Sequence, residues 1–275
     1  MEERLNGIQA KLDRADKHLA DIQERGVAWV SKEESWKFPS KVNEGERRIV
    51  VSLRLIKPAP PVLALMTDEV VHHLRSSLDH LASYLVERGG GEVGRAAWPI
   101  VGSRFRWDRV VERRRRRWEI WRKKGGGPLG GTTPEMRAFV ESKQPYHGPG
   151  KARDDPLFEL NDLWNAYKHR VLNPIQVRAV PGGSWSDLFH PTPEIEPVEF
   201  KWVLKPRDKL ELGTAHTLAV LVFPKDQPLP KVEMKGEIPV KPFIGDGQPD
   251  GRGLADDLIR AIVAEAVERF PPPKS

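Results

Sequence analysis

The 275-residue chain contains no cysteine. That absence removes disulfides, thiolate nucleophiles and every cysteine-based zinc site, so a metal could be held only by His, Asp or Glu. It also suits the reducing cytoplasm, which is the expected location. Long apolar runs are missing too. Nowhere do eighteen apolar residues follow one another, and the opening MEERLNGIQAKLDRADKHLADIQ has no uninterrupted hydrophobic stretch of the kind a signal peptide needs. Neither secretion nor a membrane span is expected. Outside one segment, excess positive charge is absent as well. The chain carries a net +6, yet residues 104–124, RFRWDRVVERRRRRWEIWRKK, hold eleven Lys or Arg against three acids, leaving 34 basic and 36 acidic residues elsewhere. A local excess of this kind points to an anionic partner more directly than an overall basic balance does.

The remaining composition, 39% hydrophobic and 31% charged, suffices for one sizeable core or two smaller ones. Leu5, Ile8, Leu12, Ala15, Leu19 and Ile22 recur at steps of three and four, which predicts a first helix with an apolar stripe that needs a partner helix. RRIVVSLRLIK, residues 47–57, is rich in β-branched residues and reads as a strand ended by PAPP. From Val62 to Arg88 no Pro or Gly occurs, and Val71, Leu74, Leu78, Leu81 and Leu85 share one face until the glycines at 89–91 stop the helix. Trp107, Val111, Arg114, Trp118 and Trp121 place the basic segment on a helix as well. A further helix is expected over 156–171, with Asp155 as its N-cap, Pro156 in its first turn and Leu157, Leu160, Trp164, Tyr167 and Val171 on its buried face.

Beyond Asn173 short alternating runs separated by Pro, Gly or Asp indicate antiparallel strands, and LADDLIRAIVAEAVERF before PPPKS gives a closing amphipathic helix. The expected fold is α+β: a bundle-like helical half over 1–171 with one strand, then an antiparallel β half over 172–275 closed by that helix.

The longest predicted helix is unusually rich in titratable groups. In EVVHHLRSSLDHLASYLV, residues 69–86, His73, Ser77, His80 and Tyr84 form one column, while His72, Arg75, Ser76 and Asp79 occupy the neighbouring faces. Glu69 with His73 and Arg75 with Asp79 are also ordinary i,i+4 pairs, so a purely structural role reads equally well. The run Arg75, Ser76, Ser77, Leu78, Asp79, His80 resembles the R-x4-6-H pattern of the HEPN superfamily. The resemblance covers at most residues 1–171. It implies a helical bundle, metal-independent cleavage of RNA, and a site completed across a homodimer. It further implies that Arg75 polarises the scissile phosphate and that His80 transfers protons. The same segment, taken with QPY at 144–146 and the later PL..L..LW..YKHR, is also similar to uncharacterised bacterial proteins, a likeness that brings no activity with it.

The catalytic candidates are therefore Arg75, Asp79 and His80, joined by His169 from the later helix, where Asn165 and Lys168 would lie beside it. Lys168, His169 and Arg170 equally suit a helix C-terminus, whose dipole favours cations. A metal reading would use Glu69, His73, His80 and His169, but no HExxH occurs, and His73 and His80 stand about 10 Å apart along a helix axis. Arg113, Arg115, Arg116 and Arg117, together with Lys168 and Arg170, are the candidate nucleic-acid contacts, with Trp118 and Trp121 docking the basic helix or stacking on bases. The expected function is RNA binding, with metal-independent endoribonuclease activity as its extension and no cofactor. The alternatives are a non-catalytic module, dimerised by its helices and recognising a protein through its β half, and, third, an enzyme with a His/Glu metal site.

Overall fold

In the computed structural model the residues described are 1–30, 32–112, 127–169, 176–179, 186, 189–204, 210–234, 240–243 and 256–273. The fold is α+β, with antiparallel sheets. The chain forms two compact units, each assembled from separated stretches rather than cut once along the sequence. One comprises Met1–Ala20, Ala64–Asn173 and Gly245–Ser275, the other Asp21–Leu63 and Pro174–Ile244. Among the described residues no helix is long and apolar enough to cross a membrane.

The helical unit is organised around residues 2–20 of helix α1 (Glu2–Val30) and residues 64–88 of helix α2 (Pro61–Arg88). Within the unit they run antiparallel: Arg4 pairs with Glu87 at 2.6 Å, Gly7 packs against His80, and His18 reaches Glu69. The α1 stripe is buried as its spacing requires, through Ile8, Leu12, Ala15 and Ile22. From His73 to Glu87 every residue of α2 is buried or half-buried, with Asp79 and Glu87 keeping part of their side chains in solvent.

Helix α2 ends in a Schellman motif. Gly90 has φ +82°, its N–H donates to Glu87 O, and Gly91 N–H donates to Val86 O at 2.8 Å. A second glycine pair crosses here at backbone distance. A Cβ on Gly131, itself at φ +86°, would lie 2.3 Å from Gly91 Cα. The glycines at both places are thus needed for close approach as well as for turning.

After the short helix α3 (Arg104–Trp107), α4 (Pro134–Ser142) opens with Thr133, whose hydroxyl accepts from Met136 N–H, and buries Met136, Phe139 and Val140. Helix α5 (Pro156–His169) opens with the expected N-cap, Asp155 Oδ1 accepting from Leu157 N–H at 2.9 Å. The closing helix α6 (Asp256–Arg269) joins the helical unit, not the β region it follows in sequence. Ile259, Ile262 and Ala266 are its buried residues, Phe270 just beyond it is buried too, Tyr84 OH donates to Phe270 O, and Lys143 pairs with Glu265 at 2.6 Å.

The other unit is built on β3 (Arg48–Leu55), which lies at the centre of a five-stranded antiparallel sheet. Its alternate residues Ile49, Val51, Leu53 and Leu55 face the core. One edge of β3 carries β1 (Trp36–Lys37) and β2 (Ser40–Asn43) in succession, interrupted at Pro39, which has no N–H to donate and whose carbonyl accepts from Ser52. The other edge pairs with β7 (Ala215–Val222), which pairs in turn with β6 (Glu199–Trp202). Two-stranded ladders join β4 (Gln176–Ala179) to β9 (Val240–Phe243) and β5 (Phe189–Thr192) to β8 (Lys231–Met234). Trp29, Trp36, Phe189, Leu218 and Phe223 belong to the core of this unit.

The glycine crossing yields a controlled test. Gly131→Ala combines a left-handed backbone with a backbone clash and should cost more than about 2 kcal/mol of stability. Gly94→Ala, where an added Cβ meets nothing within 4 Å, should be neutral within about 0.5 kcal/mol by chemical denaturation.

Candidate functional site

Arg75 is buried in the helical unit and is held there through both terminal nitrogens, while its Nε has no hydrogen-bond partner. Its Nη1 donates to Asp79 Oδ1 at 2.7 Å and its Nη2 to the Trp98 carbonyl at 2.8 Å, while Trp98 N–H donates to the same Asp79 oxygen at 2.9 Å. The ion pair therefore satisfies both backbone groups of one residue. Trp98 itself is fully buried, edge-on to Phe139. Burial pulls the Arg75 guanidinium below its ordinary pKa, and the Asp79 carboxylate opposes that shift.

The neighbouring residues are held in the same manner from another helix. Gln144, buried at the end of α4, accepts from Val101 N–H at 3.0 Å through Oε1 and donates to Pro99 O at 2.9 Å through Nε2. Residues 98–101 belong to no helix or strand, so side chains supply the partners a sheet would otherwise give. Two polar features conspicuous in the sequence, the Arg75–Asp79 pair and the glutamine of QPY, converge on this one extended stretch.

His80 points elsewhere. Five residues at about 100° each set it some 140° around α2 from Arg75. Its ring lies against α1, where a Cβ on Gly7 would sit 3.5 Å from Nδ1. Burial first, then the charges of Lys11 and Arg4, push its pKa down, with Asp79 opposing. His80 is thus a neutral imidazole near pH 7, packed in a helix interface, and Arg75 and His80 do not converge.

Of the remaining candidates, Lys168 and His169 are the last residues of α5 and their side chains lie outside the described residues. Arg170 and Arg113, Arg115, Arg116 and Arg117 lie outside them altogether, as do Trp118 and Trp121.

A cluster that spacing alone did not single out surrounds His73. His18, buried on α1, stacks on His73 at 5.9 Å between centroids with an 11° interplanar angle. His72 lies edge-on to His73 at 5.6 Å and 5.2 Å from Trp164 of α5. His18 Nε2 approaches Glu69 Oε2 to 3.1 Å, although neither ring nitrogen of His18 is aligned for a hydrogen bond. The sequence signal for His18 was its position three residues after Ala15 and four before Ile22, on the buried stripe. Among the described residues no group of three or more His, Asp or Glu is placed to hold a metal ion.

The beginning of the basic segment is described. Ser103 caps α3, its hydroxyl accepting from Arg106 N–H at 3.3 Å. Trp107 is 1% exposed and anchors the helix, whereas Phe105 is 69% exposed. Arg104, Arg106 and Arg109 are exposed around it. Arg104 pairs with Asp108 at 3.0 Å and with Glu141, and the Arg109 guanidinium carbon lies 5.7 Å from the Phe105 ring centroid. The chain then continues as a π-helical turn, Asp108–Glu112. The locked stretch 98–101 leads directly into this helix, so α2 and α4 fix where the basic segment starts.

The chain matches no protein-family model, no curated protein and no solved structure. Its local geometry is therefore the only guide to what it does.

The histidines predict an acid sensitivity. Burial lowers the pKa of His73, helped by His72, Lys11, His18 and Arg14, and burial also lowers that of His80. The unfolded chain therefore binds more protons below its own histidine pKa of about 6.5, and stability is lost as the pH falls through that value. The melting temperature should hold steady above about pH 7 and decline towards about pH 5.5. His73→Leu, which removes one of these protonations, should flatten the decline when thermal unfolding is followed across that range.

Proposed function

We propose that this protein binds RNA through the basic segment 104–124 and that the histidine helix acts as scaffold, without cutting the ligand. The observation that carries the binding half is the charge distribution. All of the excess positive charge stands in those 21 residues, and their described beginning presents Arg104, Arg106 and Arg109 on the surface. Clustered guanidiniums contact phosphates and release condensed counterions, a sequence-independent source of affinity.

The scaffold half is supported by the commitments of the motif residues. A phosphate-polarising arginine must face the ligand, but Arg75 is buried and both of its terminal nitrogens are turned to Asp79 and the Trp98 carbonyl. A proton-transferring histidine must stand beside it, but His80 lies against Gly7 on another side of the helix. Those contacts favour binding over the cleavage that a HEPN resemblance implies.

Salt dependence tests the proposal. Replacing Arg113, Arg115, Arg116 and Arg117 together by Gln should weaken RNA binding and reduce the slope of log K against log salt by up to about 0.7 per lost phosphate contact, the single-strand value. His80→Ala should leave that slope unchanged. Equal affinity and equal slope for wild type and the Gln variant would remove the basic segment as the binding surface.

A further inference from the structure

We infer that Phe105 is a stacking platform for an unpaired base, which makes the preferred ligand of the basic segment a single strand rather than a duplex; this rests on the RNA-binding reading above. Helix α3 contains two aromatic residues only two positions apart. Trp107 is sealed in the helical unit, while Phe105 is 69% exposed, the most exposed of the large hydrophobic residues described. A phenylalanine left in water forgoes the stabilisation that burial brings, and Trp107 already anchors this helix.

The surroundings of Phe105 define what would cover it. The Arg109 guanidinium carbon lies 5.7 Å from its ring centroid, and Arg104, paired with Asp108 and Glu141, and Arg106 are exposed on either side of it in the chain. An apolar protein partner would have to desolvate these cations, whereas a nucleotide satisfies both features at once. Its base lies on the ring and its phosphate meets the guanidiniums. Base faces are hidden inside a duplex and open in a single strand, so the ring contributes only to the latter.

The backbone that leads into the platform is also anchored. Residues 98–101 immediately before it are fixed by Arg75, Asp79 and Gln144, and Ser103 caps the helix. A ring on a fixed helix loses little freedom when a base stacks on it.

Fluorescence anisotropy with a labelled single-stranded RNA, and with the same strand annealed to its complement, tests this. Phe105→Ala should weaken single-strand binding about tenfold or more, the range of one lost base stack, and leave duplex binding unchanged. Phe105→Trp should retain wild-type affinity, which excludes a simple folding defect. Single-strand binding by Phe105→Ala equal to wild type, or an equal loss on strand and duplex, overturns the platform. If that happens while the four-arginine Gln variant still binds more weakly than wild type, the basic segment stands without its aromatic platform. Failure of the wild type to bind either RNA at low salt overturns the RNA reading itself, and the platform with it.

Discussion

The structure depends on how residues 98–101 are held in place. They are buried or half-buried, belong to no helix or strand, and must still find partners for their N–H and carbonyl groups. Arg75 and Asp79 grip both backbone groups of Trp98, and Gln144 grips Pro99 and Val101. The pair is a charge-assisted fork that a neutral side chain could not replace at both ends. Around it, Trp98 packs on Phe139 and Phe139 on Phe270, so α2, α4 and α6 meet at the same place. From residue 73 to 87 every residue of α2 is at least half-buried, so most of its polar side chains meet protein as well as solvent. Arg75 and Asp79 are accounted for by what they hold, and His73 and His80 by the rings and backbone they pack against.

Much of this was legible in the sequence. The stripe of α1, the leucine face of α2 with its glycine stop, the Asp155 cap and the alternating strand at 48–55 each follow from a local period or a local turn rule. The Arg75–Asp79 pair was legible too, as an i,i+4 contact. Its third partner was not, because Trp98 lies 23 residues further on and nothing local marks the carbonyl of a tryptophan as a target. The partners of Gln144, Val101 N–H and Pro99 O, were hidden for the same reason. The strands at 36–37 and 40–43 were missed because two and four residues around a proline are too short to show alternation. The grouping of α6 with the helices also exceeded local reading, since an amphipathic stripe tells which face is buried but not against what.

The histidines show the same limit from the other direction. Counting them on one helix suggested chemistry, and the structure separates them into different environments. His80 faces α1 near Gly7, while His73 stacks on His18. Both lie where burial favours the neutral ring, which suits packing at a helix interface. Among the described residues, exposed cations and an exposed phenylalanine ring come together at the start of the basic segment, six residues beyond Trp98. The anchored stretch and the proposed binding surface are therefore close in the chain, and the anchoring of one places the start of the other.

The central claim is that Arg75 holds the fold rather than a ligand, and Arg75→Lys tests it most directly. Lysine keeps the charge but cannot bridge Asp79 and the Trp98 carbonyl with a planar fork, so the variant should be less stable by about 2 kcal/mol. Well below its melting temperature it should bind RNA as the wild type does. An unchanged melting temperature together with a large loss of RNA affinity would contradict the account and place Arg75 in a ligand site.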